Sequence, residues 1–186
     1  MSEPTPAGGD YLASPADLAL KLGVDADDAR LLLALRRAGD RFEGAIGYPV
    51  LLVTDDVEHV SGDGTDTLLL RCRPVVGQPT VKVDGVAVTD FTVGRHAGIL
   101  RRKNRACWPD DLDNVEVTYT HGWVEVPGDI QDAVLEQAET QYLTVVAYQS
   151  RAAGSESVTY SALAAVGVTQ RWTDTVARYP LRGDRS

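Results

Sequence analysis

The chain has 186 residues, 44% of them hydrophobic, which is enough to bury a core and predicts one domain with an appended arm. Its formal net charge of −9 argues against holding nucleic acid by neutralising phosphates, because that needs a surplus of Lys and Arg. Cys72 and Cys107 lack CxxC spacing and follow no secretory signal, so we expect neither a disulfide framework nor a zinc site, and a reducing cytoplasm fits best. No apolar run approaches the roughly 18 residues that a membrane helix needs.

The N-terminal segment predicts a flexible arm followed by a short helix. Residues 1–10 are rich in Pro, Gly, Ser and Thr, and we expect them to be disordered in an isolated monomer. Ser14 can cap a helix, Pro15 suits its first position, and Gly23 can end it.

A longer second helix is predicted from near Asp25 to about Gly47. Asp27 and Asp28 favour its first turn, where the helix dipole is positive. Apolar side chains at helical spacing draw one stripe along it, which predicts a buried face. The stripe consists of Leu31, Leu35, Ala38, Phe42 and Ala45, widened by Leu32, Leu33 and Ile46.

From about residue 55 to 126 the apolar pattern changes to the two-residue period of β-strands. Strands are predicted at 57–60 and 67–73, with a Gly-rich hairpin turn, SGDGTD, between them. Asp84-Gly85 between alternating valines predicts a type I′ hairpin, and a second hairpin is expected within 91–100, pairing Phe91 and Val93 with Ile99 or Leu100. The alternation of 115–119 predicts a further strand.

A third helix is predicted from Pro127 to about Tyr148, and we expect it to pack on the second helix. Its stripe consists of Leu135, Ala138, Tyr142, Val145 and Gln149, broadened by Ile130 and Val134. A linker at 151–157, a short strand at 158–160 and a final helix at 172–179 follow.

The predicted fold class is α+β, a small helical bundle of two long helices plus short helices, with a β-hairpin-rich insert between the long helices. The predicted domains are an arm at 1–10, a core at 11–150 and a C-terminal arm at 151–186.

The sequence carries no signature of an enzyme, a cofactor or a metal site. There is no GxSxG elbow, no P-loop, no GxGxxG motif opening a helix and no HExxH. His59, His96 and His121 each fall in a predicted strand or turn, and none has a partner at metal-ligand spacing. We therefore expect a protein without catalytic activity.

Two acidic loops offer carboxylates of the kind that hold Ca²⁺ or Mg²⁺. Asp63 and Asp66 lie in the SGDGTD segment, where a hairpin turn explains them without a metal. Asp110, Asp111 and Asp113 lie in a polar stretch before a strand, where acidic side chains are common as solvent-exposed groups without a metal. Ordinary surface loops are the preferred interpretation of both.

Cations concentrate in one short run of this acidic chain, formed by Arg101, Arg102, Lys103 and Arg105. One interpretation of the run is functional: it contacts an acidic partner surface or the phosphates of passing DNA. The other is a solvated loop that protects a sheet edge from pairing. Trp108 and Trp123 are candidate core or interface anchors.

The order of elements is short helix, long helix, β-rich insert, strand, Pro-x-Asp-Ile helix and tail. It resembles the head-to-tail connector, or adaptor, proteins of long-tailed bacteriophages. The residues that carry this resemblance are LALKLGVDADDARLLLALRRAGDRFEGAIGYPV, RPVVGQPTVKVDGVAV, VEVTYTHGWVEVPGDIQDAVLEQAETQY and the tail GSESVTYSALAAV with WTDTVARYPLR. They span nearly the whole chain after the first ten residues.

The resemblance implies a structural virion protein that forms a ring, usually of twelve subunits, beneath the portal, with DNA running through its centre without sequence-specific binding. It places the chain in the head-tail neck of a virion assembled in the bacterial cytoplasm. The implied partners are the portal, which we expect Trp172, Tyr179 and Arg182 to contact, and a stopper or tail-terminator protein facing the β-insert. The basic run, Trp108 and Trp123 would then serve contacts between subunits or with the DNA channel.

Two alternatives remain open at the level of sequence. The first is a tail-completion or stopper protein of the same neck, which would also be structural. The second is a small metal-dependent hydrolase using Asp110, Asp111 and Asp113.

Overall fold

The computed structural model describes residues 11–151 and 168–179, with side chains of the third helix described up to residue 144. The chain divides into two compact units. The helical unit comprises residues 11–47, 125–151 and 168–179. The β unit comprises Tyr48–Val124.

Four α-helices make up the described part of the helical unit: α1 (Pro15–Leu22), α2 (Ala29–Ile46), α3 (Gly128–Arg151) and α4 (Gln170–Arg178). Ser14 caps α1 as predicted, and its hydroxyl accepts the N–H of Asp17. The second helix begins later than predicted, because Asp28 forms its cap and not its first turn: the carboxylate accepts the N–H groups of Arg30 and Leu31.

The core of the helical unit lies along the predicted stripe of α2, which packs on α3. Leu31, Leu35, Ala38 and Phe42 are buried, whereas Ala45 is exposed. Leu33, predicted to widen the stripe, is also exposed, and Ile46 is buried. On α3 the buried positions are Ile130, Ala133, Val134, Gln137, Ala138 and Tyr142.

The β unit contains two antiparallel sheets. Its strands are β1 (Val53–Gly62), β2 (Thr67–Leu69), β3 (Val75–Val83), β4 (Val86–Val88), β5 (Phe91–Gly94), β6 (Ile99–Arg102) and β7 (Asp111–His121), with a 3₁₀ turn at Arg95–Ala97. The first sheet has the order β1-β7-β3-β4, and the second has the order β2-β6-β5.

Both hairpins with strong turn signals are confirmed. Val81 pairs with Val88 and Val83 with Val86, and the turn residues between them have φ of 49° and 78°, as a type I′ turn requires. In the second hairpin β5 pairs with β6. The hairpin predicted at SGDGTD is wrong, because β1 pairs with β7 and β2 pairs with β6, so this segment connects two sheets.

The predicted architecture is also wrong, although its α+β class is correct. Seven strands in two sheets form a unit with its own buried core in the described part of the chain, so the β segment is more than an insert between two long helices. The described helices are four, of 8 to 24 residues. Alternation along β7 was visible in the sequence, but its pairing with both β1 and β3 depends on residues far away along the chain.

Several predictions fall on residues 1–10, 152–167 and 180–186, which lie outside the described residues. These are the N-terminal arm, the short strand at 158–160 and any contact of Arg182. The division into arm, core and arm stays a prediction. In the described ranges, no helix combines the length and apolarity needed to cross a bilayer.

Candidate functional site

The C-terminal helix α4, where portal contacts were predicted, is anchored by its own first turn. The hydroxyl of Thr169 accepts the N–H of Trp172 at 3.2 Å and caps the helix. The indole of Trp172 is buried and meets the ring of Phe42 edge-on, with centroids 5.3 Å apart and planes at 84°. Trp172 therefore fixes α4 on the helical core.

Polar contacts hold the same helix to the acidic beginning of α3. The hydroxyl of Tyr179 donates to the carboxylate of Asp129 at 3.0 Å, and Arg178 lies 3.4 Å from that carboxylate. Arg171 forms an ion pair with Asp132 at 3.0 Å. The two ion pairs are largely exposed to solvent, so each contributes little to stability. Together with the partly buried hydrogen bond of Tyr179 they orient α4.

The predicted portal residues thus have contacts within their own unit. Trp172 and Tyr179 both contact neighbouring helices, and Arg182 lies outside the described residues. The side chains that α4 exposes to solvent are others: Gln170, Arg171, Thr173, Asp174, Ala177 and Arg178. Trp172 would therefore contribute to docking indirectly, by holding this exposed face of α4 in position.

The basic run lies on β6 and the loop after it, and half of it is neutralised locally. Arg101 pairs with Asp66 at 3.2 Å, and Arg102 pairs with Asp90 at 3.2 Å. The guanidinium of Arg102 also lies 5.1 Å from the ring centre of Trp108.

The other two cations of the run are exposed. Within the described chain, neither Lys103 nor Arg105 forms an ion pair, and Arg105 has a φ of 60° in a turn. These two side chains are therefore the part of the run that is available to a partner.

The two tryptophans of the β unit differ in burial. Trp108 is fully buried and packs near Phe91, with ring centroids 6.4 Å apart, so it belongs to the core. Trp123 is partly exposed, and its backbone N–H donates to the carbonyl of Val50 at 2.9 Å. Of these two tryptophans, Trp123 is the one whose side chain is accessible to a partner.

The acidic loops take different forms. Asp63 accepts both the N–H and the hydroxyl of Thr65, at 2.9 and 2.7 Å, and these hydrogen bonds hold the pKa of its carboxyl below the usual value. This is a local turn and not a ligand sphere. Asp110, Asp111 and Asp113 do not bring three potential ligand atoms together in the part of the chain that the structure describes.

A polar cluster that sequence reasoning missed lies on one face of β1 and β7. The hydroxyl of Tyr119 donates to Glu58 at 2.6 Å and accepts the backbone N–H of Cys72 at 3.3 Å. Nε2 of His121 lies 3.0 Å from Oδ2 of Asp56. Burial and the neighbouring Glu58 carboxylate raise the pKa of the Tyr119 phenol. The available signal was the spacing of Tyr119 and His121, which places both on the same face of a strand.

Comparison with solved structures finds chains of the same fold, among them two from particle necks. One comes from the neck of an empty GTA particle computed with C6 symmetry, with a TM-score of 0.52 and 22% identity over 92% of this chain and 93% of the other. The second comes from the neck of a native GTA particle computed with C12 symmetry, with a TM-score of 0.56 and 17% identity over 100% of this chain and 97% of the other.

Both similar chains belong to particle necks, and this chain shares their fold, which agrees with the resemblance inferred from the sequence at that coarse level. The assignment to the adaptor family stays a prediction. No protein-family model matches the sequence, and no curated protein matches it.

Proposed function

We propose that this chain is a structural ring subunit in the neck of a phage-like particle, an adaptor between the portal and the tail. The observation that carries the proposal is the fold shared with GTA (gene transfer agent) neck chains over nearly the full length of each chain. One of those necks was computed with C12 symmetry, which supports a ring of twelve copies. In such a ring each subunit contacts the next one head to tail, and the rotation closes.

Large apolar side chains at the surface support contacts between subunits. Leu20 is 87% exposed, Leu112 83%, Val124 82% and Val86 68%. A single exposed apolar residue needs no explanation, but a subunit that is buried between two neighbours has a use for several of them. They are the first positions to test for contacts around the ring.

The charges favour a channel through which DNA slides, and they disfavour a channel that binds DNA tightly. The net charge is −9, and in the basic run Arg101 and Arg102 are paired to carboxylates, so the run has only two cations left to neutralise phosphates. Lys103 and Arg105 are better suited to an acidic protein surface on a neighbouring subunit or on the next neck protein.

The alternatives are less well supported. A hydrolase built on Asp110, Asp111 and Asp113 has no support from the geometry of that loop, and the two similar chains are neck components. A stopper or tail-completion protein would share the neck, and it differs from an adaptor in binding below the first ring and not to the portal.

Electron microscopy of reassembled particles tests the proposal. The purified chain is added to portal-bearing capsids that lack the neck, and the vertex is reconstructed without imposed symmetry. We expect a twelve-fold ring in contact with the portal. Binding only after another neck protein has been added would favour the stopper, and a chain that stays free in every mixture would refute the adaptor.

A further inference from the structure

We propose that Asp56, Cys72 and His121 of the β unit form a binding site for a transition metal ion, with Zn²⁺ as the best match. One potential ligand atom from each of these side chains lies within 4.8 Å of the other two. Two of the three residues, Cys72 and His121, are buried. The side chain of Asp56 is 43% exposed, which gives an ion a path from solvent.

A β-bulge places the carboxylate on the correct face. Val53 pairs with His121, but further along the strands Asp56 pairs with Tyr119, so β1 has one extra residue between these pairs. Asp55, in this interval, has a φ of 54°. With regular pairing Asp55 would lie opposite Tyr119. The bulge instead puts Asp56 there, on the face that His121 shares.

The thiol comes from a different part of the chain and is held by its backbone. Cys72 lies in the connection between β2 and β3, and its N–H donates to the hydroxyl of Tyr119. That hydroxyl donates in turn to Glu58, whose carboxylate also accepts the N–H of Arg71. The three candidate ligands are therefore positioned by separate segments and are supported by hydrogen bonds around them, as metal ligands usually are.

The imidazole of His121 is buried, and one of its nitrogens faces the Asp56 carboxylate. His121 is 1% exposed, its Nε2 faces Asp56, and its Nδ1 has no hydrogen-bond partner among the described residues. Because Nε2 is the ring nitrogen that faces Asp56, it is the atom that would bind an ion shared with this carboxylate, whereas Nδ1 points away from the carboxylate.

The ligand types select the metal. Thiolate, imidazole and carboxylate together suit Zn²⁺, whereas Ca²⁺ and Mg²⁺ prefer sites made of oxygen. In a tetrahedral zinc site, bonds of about 2.0–2.3 Å put the ligand atoms about 3.3–3.7 Å apart. Nε2 of His121 and Oδ2 of Asp56, which are 3.0 Å apart, would therefore move slightly apart, and a separation of up to 4.8 Å would close by roughly 1–1.5 Å at most. Three protein ligands leave a fourth position for water.

Electrostatics requires that a proton leave when the metal binds. Burial raises the pKa of the Cys72 thiol, and the carboxylates of Glu58 and Asp56 raise it further, so the thiol is protonated without a cation. Zn²⁺ binds the thiolate, and the thiol proton is released to solvent. The two positive charges of the ion then offset the thiolate of Cys72 and the carboxylate of Asp56.

The test uses the full-length reduced chain without a histidine tag. Calorimetry with Zn²⁺ should give one ion per chain, with heat that varies with the ionisation enthalpy of the buffer because a proton is released. Co²⁺ in place of Zn²⁺ should show the sulfur-to-cobalt charge-transfer band of a thiolate ligand.

Each proposed ligand has a control residue of the same type elsewhere in the chain. Cys72→Ser, Asp56→Asn and His121→Gln should each weaken Zn²⁺ binding at least tenfold, and Cys72→Ser should abolish the cobalt band. Cys107→Ser, Asp55→Asn and His59→Gln should bind like the unaltered chain, since all three control side chains are exposed.

Even if the ligand variants fail to fold, the Cys107→Ser variant tests the site, because Cys72 is the only cysteine left in it. A charge-transfer band in that variant supports the site. A chain that binds no Zn²⁺, or a Cys107→Ser variant without the band, overturns the proposal.

Discussion

The ring of Trp172 meets the ring of Phe42 edge-on, at 5.3 Å between centroids, and so connects α4 to the core stripe of α2. Because the capping hydroxyl of Thr169 lies three residues before Trp172, the start of the helix and its anchor are set by one short segment. Trp172 is thus the largest buried side chain that holds α4 in position.

Replacing this anchor should destabilise the helical unit. We expect Trp172→Ala to lower the free energy of unfolding by about 3–5 kcal/mol, because it leaves a cavity against Phe42. Urea denaturation followed by circular dichroism measures the loss. Leu20→Ala serves as the control, since Leu20 is 87% exposed and its removal should change stability by less than about 0.5 kcal/mol. Equal effects of the two changes would contradict the anchoring role.

Removing the C-terminal segment should abolish attachment to the portal. Deletion of residues 172–186 removes the anchor of α4 together with Tyr179 and Arg182, and we expect it to prevent co-sedimentation with portal-bearing capsids. A second deletion, of residues 180–186, leaves α4 and its contacts in place, so a loss of binding there would reflect docking and not misfolding. Normal attachment of the longer deletion would show that the portal is contacted elsewhere.

Gly62 should not tolerate a side chain. A Cβ at this position would lie 1.9 Å from the carbonyl oxygen of Pro109, while the N–H of Gly62 donates to Asn114. We expect Gly62→Ala to lower the free energy of unfolding by about 3 kcal/mol through backbone displacement. Gly44→Ala, in an open position of α2, should instead stabilise by about 0.5–1 kcal/mol. Thermal or urea unfolding of both variants gives the comparison.

Tyr119 should make the stability of the chain depend on alkaline pH. Its pKa is raised, so the folded state holds the phenol proton more tightly than the unfolded chain does. The stability that follows from this difference is complete below the unfolded pKa of about 10 and is lost as the pH rises above it. Urea denaturation from pH 8 to 11 should show a steeper loss for the unaltered chain than for Tyr119→Phe. Identical slopes would mean that Tyr119 ionises freely in the folded protein.

The two cysteines should differ in reactivity. Cys107 is exposed, whereas Cys72 is buried with a raised thiol pKa. Since alkylating reagents react with the thiolate, Cys107 should be modified well before Cys72 in the folded chain, and both should react at similar rates in urea. Peptide mass spectrometry at timed intervals measures the order. Faster modification of Cys72 would contradict its burial.

Local structure could be predicted from the sequence wherever neighbouring residues decide it. Ser14, Pro15 and Gly23 set the ends of α1, and Asp84-Gly85 sets a turn that needs positive φ at both residues. The helical spacing of Leu31, Leu35, Ala38 and Phe42 correctly indicated the buried face of α2. These features depend on contacts within a few residues, so a single stretch of sequence contains their cause.

Tertiary structure alone decided the rest. An alternating strand such as β7 shows which side chains share a face, but it does not show that its partners are β1 and β3. The burial of Trp108 and the approach of Asp56 to His121 follow from such distant pairing, and the burial of Trp172 follows from the packing of α4 on the distant α2. The spacing of residues along the chain therefore determined the elements and the resemblance to connector proteins. The candidate ligands Asp56 and His121 came together only through the register of a bulged sheet, and the connection after β2 added Cys72.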